Sequence, residues 1–99
     1  MLNIKKTTEG KKLEIALEGR LDTTTAPQLE ESVVGSVDGI ETLVFDIAEL
    51  EYISSAGLRV LLAAQKIMNK QGSMVVKNVS EVIQEIFEVT GFSDILTIE

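Results

Sequence analysis

The sequence predicts an α/β fold with a mixed, mostly parallel β-sheet. Short apolar segments typical of strands alternate with longer segments in which apolar residues recur at helical spacing. The 99 residues, 44% of them hydrophobic, suffice for one core, and no repeat or low-complexity linker divides them. We therefore expect a single domain over residues 1–99, with the element order β-β-α-β-α-β-α-β and helices flanking the sheet.

The first three elements follow from alternation and from capping residues. Residues 2–5 and 13–18 alternate in polarity around a turn at 9–11, which predicts an N-terminal β-hairpin. Thr25 offers a hydroxyl cap and Pro27 suits a first helical turn, so a helix should begin there. Its predicted buried stripe comprises Leu29, Val33 and Val37.

The middle of the chain predicts a buried strand and a long helix. Residues 43–47 form a nearly continuous apolar run, which is typical of a parallel strand that helices cover on both faces. The following helix should run over about 56–71 and end at Gly72.

The last third predicts strand, helix and strand. Residues 73–77 form a short strand, Ser80 can cap a third helix, and Gly91 can end it. Residues 95–98 are the predicted final strand. The helix should bury the residues that recur at helical spacing, namely Val82, Ile83, Ile86 and Phe87.

Charge and missing residue types exclude several functions. The chain has nine Lys and Arg and sixteen Asp and Glu, and the resulting net charge of −7 disfavours nucleic-acid binding. The chain has no Cys and no His, which excludes disulfides, thiolate nucleophiles, Cys/His zinc sites and a Ser-His-Asp triad. Neither a nucleophile paired with a base nor a Gly-rich phosphate loop can be assembled. We therefore expect no enzymatic activity, no metal and no cofactor.

The sequence also bears on location. No apolar run reaches the roughly 18 residues of a membrane span, and the first residues lack the apolar stretch of a signal peptide. We therefore expect a cytoplasmic protein that does not insert into membranes.

The segment 49–57 is the candidate site, because ligands and modified residues gather where a strand leads into the next helix. A serine there can be a helix cap, which spacing alone favours. A helix N-terminus also suits a phosphate. Helical spacing places Leu58, Arg59 and Leu62 in the same sector as Ser55. The two leucines are expected to be partly exposed and to form a docking surface, although periodicity is equally compatible with both packing beneath a neighbouring helix.

Five sequence stretches together resemble a STAS domain and, more narrowly, bacterial anti-sigma factor antagonists. The resemblance covers essentially all 99 residues. The stretches are Gly-Arg-Leu-Asp at 19–22, Thr-Ala-Pro at 25–27, Leu-Val-Phe-Asp at 43–46, Tyr-Ile-Ser-Ser-Ala-Gly-Leu-Arg-Val-Leu at 52–61 and Thr-Gly-Phe at 90–92.

The resemblance implies a partner-switching function. The unphosphorylated protein would bind an anti-sigma factor that is a serine kinase of the GHKL type, and so release the sigma factor. Phosphorylation by that kinase would end binding, and a PP2C-type phosphatase would restore it.

The resemblance also assigns site residues. The phosphoacceptor is the serine two residues before the glycine of the motif, which is Ser55 here. Ser54 stands where the family often has Asp, so it is the alternative acceptor. Asp22 matches a family carboxylate near the serine, although it can also be a turn residue. Asp46 matches the acid that ends the preceding strand. The expected partner-binding residues are Asp22, Ser54, Ser55, Ala56, Gly57, Leu58, Arg59 and Leu62.

Other functions would use the same residues or the same fold differently. A receiver-like domain would place a phospho-acceptor at Asp46, but it needs an acidic pair and a well-placed lysine, and the sequence offers only Asp22 and Lys77. A stressosome-type scaffold or a subunit of a phospholipid-transport complex would keep the STAS fold and the same helix face. The neighbouring genes would distinguish these two from an anti-sigma factor antagonist.

Overall fold

The fold is a four-stranded sheet with three α-helices and a short 3₁₀ helix, seen in a computed structural model that describes all residues 1–99. The elements in chain order are β1 (Leu2–Glu9), β2 (Lys12–Leu21), α1 (Ala26–Val34), β3 (Thr42–Ile53), α2 (Ser55–Gln71), β4 (Ser73–Lys77), α3 (Glu81–Thr90) and the 3₁₀ helix (Phe92–Asp94).

The strands lie in the order β1-β2-β3-β4. β1 and β2 form the antiparallel hairpin, and β2, β3 and β4 run parallel to one another. The predicted α/β class, the mixed and mostly parallel sheet, and the N-terminal hairpin are therefore confirmed.

The predicted final strand over 95–98 is wrong. Only a single parallel bridge joins Ile98 to Val76 of β4. The residues just before Ile98 form the 3₁₀ helix and the turn that follows it. The amides of Ile95 and Leu96 both donate to the carbonyl of Phe92. The end of the chain therefore touches the sheet at one point instead of adding a strand.

β3 is longer than predicted and absorbs most of the expected loop. It continues through residues 49–53. At each of two irregularities in the pairing, β3 has one more residue than β2, and the two strands stay paired on both sides of the irregularity. The second irregularity lies between Leu50 and Tyr52, and Leu50 and Ile53 are both buried although they are three residues apart. The loop between β3 and α2 is thus reduced to Ser54.

The core lies on one face of the sheet. One cluster of 25 buried residues contains residues of all three helices together with alternate residues of the strands. Its members from the three parallel strands include Leu13, Ile15, Leu17, Leu43, Phe45, Ile47, Met74 and Val76. The architecture therefore has two layers, and the expectation that helices cover β3 on both faces is wrong.

Val44 explains why β3 looked doubly covered. It is buried but lies outside the main cluster, on the face of the sheet opposite the helices. The Lys77 Nζ and Glu14 Oε1 atoms are 3.0 Å apart, so this ion pair joins β4 to β2 across β3. Charged side chains thus shield Val44 where a helix was expected.

The helices contribute narrow apolar stripes. In α3 only Ile83 and Phe87 are fully buried, because residues four apart share one face of a helix. Val82 lies about 100° away from Ile83 around the helix and is 59% exposed, so its predicted burial is wrong. None of the helices has the length and apolar character needed to cross a bilayer.

Candidate functional site

The ends of β2 and β3 bring two predicted functional segments together. Leu21 and Ile53 are register partners, and the backbone N–H of Ser54 donates to the carbonyl of Leu21 at 2.8 Å. Asp22 and Ser54 therefore each follow one of two paired strands. The long continuation of β3 is what brings the start of α2 to this place.

Ser54 is the N-cap of α2. Its backbone is extended, and its hydroxyl oxygen accepts a hydrogen bond from the backbone N–H of Gly57 at 3.3 Å. The residue is half-buried. The capping role that spacing favoured for this segment thus falls to Ser54, and its hydroxyl already has a structural partner.

Ser55 is the first residue of α2, and it is exposed. Its hydroxyl forms no hydrogen bond within the chain, and no acidic residue occupies the first turn of the helix. The positive end of the helix dipole is therefore uncompensated beside an accessible hydroxyl. A phosphate on this oxygen would be electrostatically favourable.

Gly57 allows α2 to lie against the ends of the two strands. A Cβ at this position would be 2.6 Å from Leu21 Cγ and 3.0 Å from Ile53 Cγ1. Because real Cβ atoms are not found so close to other carbons, any side chain would move the helix or these two residues. The glycine therefore fixes the position of Ser55 relative to the sheet.

Asp22 organises the turn that leads into α1. Its Oδ1 accepts hydrogen bonds from the hydroxyl of Thr24 at 2.7 Å, from the N–H of Thr24 at 3.0 Å and from the N–H of Thr25 at 3.1 Å. The Thr24 hydroxyl and these backbone amides hold the pKa of Asp22 below its usual value. Asp22 thus acts as a turn residue.

Thr25 is not a side-chain cap of α1, contrary to the prediction. Its buried hydroxyl donates to the carbonyl of Arg20 at 2.9 Å and accepts from the N–H of Asp22 at 2.9 Å. Asp22 binds the N–H groups of the turn instead. Thr25 therefore joins the end of β2 to the start of α1.

A groove of about 210 Å³ lies between the N-terminal ends of α1 and α2. Its walls are Thr23, Ala26, Pro27 and Glu30 on one side, and Ala56, Arg59 and Val60 on the other. Arg59 is exposed and forms no ion pair within the chain. The α1 wall was missed because the periodicity of one helix does not indicate which neighbour it contacts.

The two leucines of the predicted docking surface differ. Leu58 is only 5% exposed and belongs to the core cluster, so the expectation that it is partly exposed is wrong. The close approach at Gly57 presses the first turn of α2 onto the sheet and buries the adjacent Leu58. Leu62, one turn later, is half-buried and still reaches the surface.

Arg20 and Tyr52 form a further feature that the sequence did not indicate. They are register partners, and the Arg20 guanidinium carbon lies 4.5 Å from the centre of the Tyr52 ring. The Nε of Arg20 is 4.0 Å from Oδ2 of Asp22. This contact depends on the pairing irregularity beside Arg20, which composition and spacing do not show.

Asp46 lies away from this site. It stands seven residues before the end of β3, about 20 Å along the strand from Ile53, so the expectation that it ends the strand is wrong. Its Oδ1 accepts from the side-chain amide of Asn78 at 3.0 Å and from the N–H of Ala48 at 3.1 Å. These bonds, chiefly the Asn78 amide, lower its pKa, and Lys77 adds to the effect.

The family model of the STAS domain matches residues 3–99. The chain belongs to the STAS domain family. The resemblance inferred from the sequence is confirmed, and the site above is therefore the loop and helix start of a STAS domain.

Two relatives are anti-sigma factor antagonists by name. The chain is 39% identical over 84 residues to BtrV of Bordetella bronchiseptica, covering 83% of this chain and 72% of the relative. It is 32% identical over 97 residues to the anti-sigma-B factor antagonist of Staphylococcus aureus, covering 96% and 90%. These are names of regulators, which supports the prediction that this STAS domain is not an enzyme.

Solved structures share the fold. An anti-sigma factor antagonist from Mycobacterium paratuberculosis superposes with a TM-score of 0.90 at 22% identity, covering 99% of this chain and 85% of that one. The Bacillus cell fate determinant SpoIIAA in its phosphorylated form gives 0.75 at 16% identity, covering 100% and 91%.

Proposed function

We propose that this STAS domain is an anti-sigma factor antagonist whose unphosphorylated form binds an anti-sigma factor kinase of the GHKL type and so releases the sigma factor. The names of the two relatives above support the general function. The observation that carries the site is the exposed, unbonded hydroxyl of Ser55 beside the groove between α1 and α2. The function belongs in the cytoplasm, where sigma factors act.

The proposed docking surface consists of the groove together with Ser55 and Leu62. Arg59 gives it an unpaired positive charge, and the exposed Pro27 and half-buried Ala56 give it apolar contact area. Leu62 extends the apolar part along α2. Such a mixture of apolar and charged groups is typical of protein interfaces that form and dissociate.

Phosphorylation at Ser55 would switch binding off locally. A phosphate adds about −1.5 to −2 charge units. The helix start tolerates this charge, because Ser54 still caps α2 and the free backbone N–H groups favour an anion. A partner seated on the groove would have to desolvate the phosphate, which is costly. The fold therefore stays intact while the docking surface is lost.

The chain is the substrate of this step, and the kinase supplies the catalysis. The Ser55 hydroxyl oxygen attacks the γ-phosphorus of ATP, its proton passes to a base of the kinase, and ADP leaves. A PP2C-type phosphatase reverses the modification by transferring the phosphoryl group to water. No residue of this chain has to act as a base.

Ser54 is the weaker candidate for the acceptor. Its oxygen accepts the hydrogen bond that begins α2, and the residue is half-buried. Phosphorylation there would place the phosphate between the helix start and the end of β2, and it would disturb the cap. We therefore assign the acceptor to Ser55.

A binding experiment tests the proposal. The purified GHKL-type anti-sigma kinases of the source organism are titrated by calorimetry with wild-type protein, Ser55→Glu and Thr8→Glu. Thr8 is exposed on β1, so its variant adds the same charge away from the groove. We expect one kinase to bind wild type and Thr8→Glu equally. It should bind Ser55→Glu with an affinity at least about tenfold lower, which corresponds to about 1.4 kcal/mol or more of binding free energy. Equal binding of all three proteins, or no binding by any kinase, would contradict the proposal.

A further inference from the structure

The outer face of α3 carries an apolar row of two exposed valines and the half-buried Ile86, which packs partly against the core. Val82, Ile86 and Val89 follow one another at spacings of four and three residues, so they share one side of the helix. Val82 is 59% exposed and Val89 is 80% exposed. Together with Glu85 and Thr90, these residues line a shallow groove of about 280 Å³.

An acidic row runs beside this apolar row. Glu81, Glu85 and Glu88 each precede one of its members by one position. Residues 78–99 contain five acidic residues and no Lys or Arg, so most of the net charge of −7 is concentrated there. None of these acids forms an ion pair within the chain, whose three ion pairs involve other acids. The negative field of this face is therefore uncompensated.

We propose that this face of α3 binds a basic amphipathic helix of another protein. Such a helix has an apolar row that would bury Val82, Ile86 and Val89, and a row of Lys or Arg that would meet the three glutamates. The acidic row disfavours two other kinds of partner, an anionic lipid surface and a nucleic acid, because it would repel their negative charges.

A second copy of this chain fits the face less well. The exposed cations of its own helices, Arg59, Lys66 and Lys70, lie on α2. The apolar neighbours of these cations, Leu62 and Ile67, are already half-buried within the same chain. Little apolar surface is left there to cover the valines of α3.

This proposal goes beyond the antagonist function and does not depend on it. The face of α3 shares no residue with the groove between α1 and α2. One partner can therefore occupy α3 while another occupies the docking surface around Ser55. The chain would then connect two proteins.

Two synthetic helical peptides test the proposal by NMR titration of the ¹⁵N-labelled chain. One peptide has a row of leucines with a lysine beside each, and the other has glutamate in place of every lysine. We expect only the lysine peptide to cause saturable shifts, centred on Val82, Glu85, Ile86 and Val89. Raising the salt concentration severalfold should weaken its binding by about fivefold or more.

Variants with matched controls sharpen the test. Val89→Ser should weaken binding of the lysine peptide about tenfold, because it removes an apolar contact that the peptide would bury in the complex. Val34→Ser, at a valine of α1 that is 63% exposed, should leave it unchanged. Glu85→Lys combined with Glu88→Lys should transfer binding to the glutamate peptide.

Several results would overturn the proposal. These are the absence of saturable shifts, equal binding of the two peptides, shifts located in the groove between α1 and α2, and dimerisation of the chain through α3 in sedimentation experiments. Because no kinase or nucleotide is present, these results are independent of the proposed function.

Discussion

The hydroxyl oxygen of Ser54 accepts a hydrogen bond from the backbone N–H of Gly57 at 3.3 Å, and this bond begins α2. The adjacent Ser55 is exposed and its hydroxyl has no partner in the chain. Two neighbouring serines thus differ in role, because one holds the helix and the other is available to a second protein.

This difference predicts unequal effects on stability. Ser54→Ala removes the cap and should lower the free energy of unfolding by about 1 kcal/mol. Ser55→Ala removes no bond and should change it by less than about 0.5 kcal/mol. Urea denaturation followed by circular dichroism measures both. Equal losses in the two variants would show that Ser54 does not cap the helix.

The close approach at Gly57 predicts a steric effect. Gly57→Ala should cost about 1–3 kcal/mol of stability, because its methyl group would overlap the side chains of Leu21 and Ile53. Gly35→Ala is the control, since its methyl would meet only the carbonyl oxygen of Glu31 at 3.3 Å. Thermal unfolding compares the two variants. A Gly57 variant as stable as wild type would mean that α2 can move away from the sheet without loss.

Alanine substitutions at Leu58 and Leu62 should differ in their effects on stability and on binding. Leu58→Ala opens a cavity in the core and should cost about 2–5 kcal/mol. Leu62→Ala should cost less than about 1.5 kcal/mol, because this side chain is half-exposed. Leu62→Ala should also weaken binding to the anti-sigma kinase. The reverse order of stability losses would restore the docking role first expected for Leu58.

Asp46 predicts a pH-dependent contribution to stability. Its pKa is lowered in the folded state, so the folded state favours the ionised carboxylate. The resulting stabilisation is fully present above the unfolded pKa, about 3.9, and is lost as the pH falls through the folded pKa. Asp46→Asn should therefore be less stable than wild type at pH 7, and this difference should shrink below about pH 4.

The melting temperatures of the two proteins across this pH range measure the effect. Asp38→Asn is the control, because Asp38 is exposed and forms no hydrogen bond or ion pair through its side chain. A difference between Asp46→Asn and wild type that stays constant with pH would rule out the proposed contribution of the carboxylate charge.

The sequence predicted those features that depend on local signals. The hairpin followed from alternation, the end of α2 followed from Gly72, and the start and end of α3 followed from Ser80 and Gly91. The assignment of Ser55 came from the family motif. Its exposure and free hydroxyl are consistent with that assignment.

The features that depend on pairing between distant strands were missed. The extension of β3 to Ile53 needs two irregularities in its pairing with β2, which interrupt the two-residue alternation of a strand. The contact between Arg20 and Tyr52 needs the same shift in register. Leu58 was misplaced because Gly57 brings its helix closer to the sheet than helical periodicity alone can show.

The cover of Val44 is a second feature that the sequence alone could not predict. An apolar residue on the open face made β3 resemble a strand with helices on both sides. Its actual cover includes the ion pair between Lys77 and Glu14, which joins two strands that are not adjacent in the sheet. Only the strand order reveals that these two side chains meet.

Mapping of the phosphate by mass spectrometry tests the central claim most directly. The chain is incubated with its anti-sigma kinase and ATP, and the modified peptide is sequenced. We predict a single phosphate on Ser55, normal modification of Ser54→Ala, and none of Ser55→Ala. A phosphate on Ser54 or on a threonine, or undiminished modification of Ser55→Ala, would contradict the account.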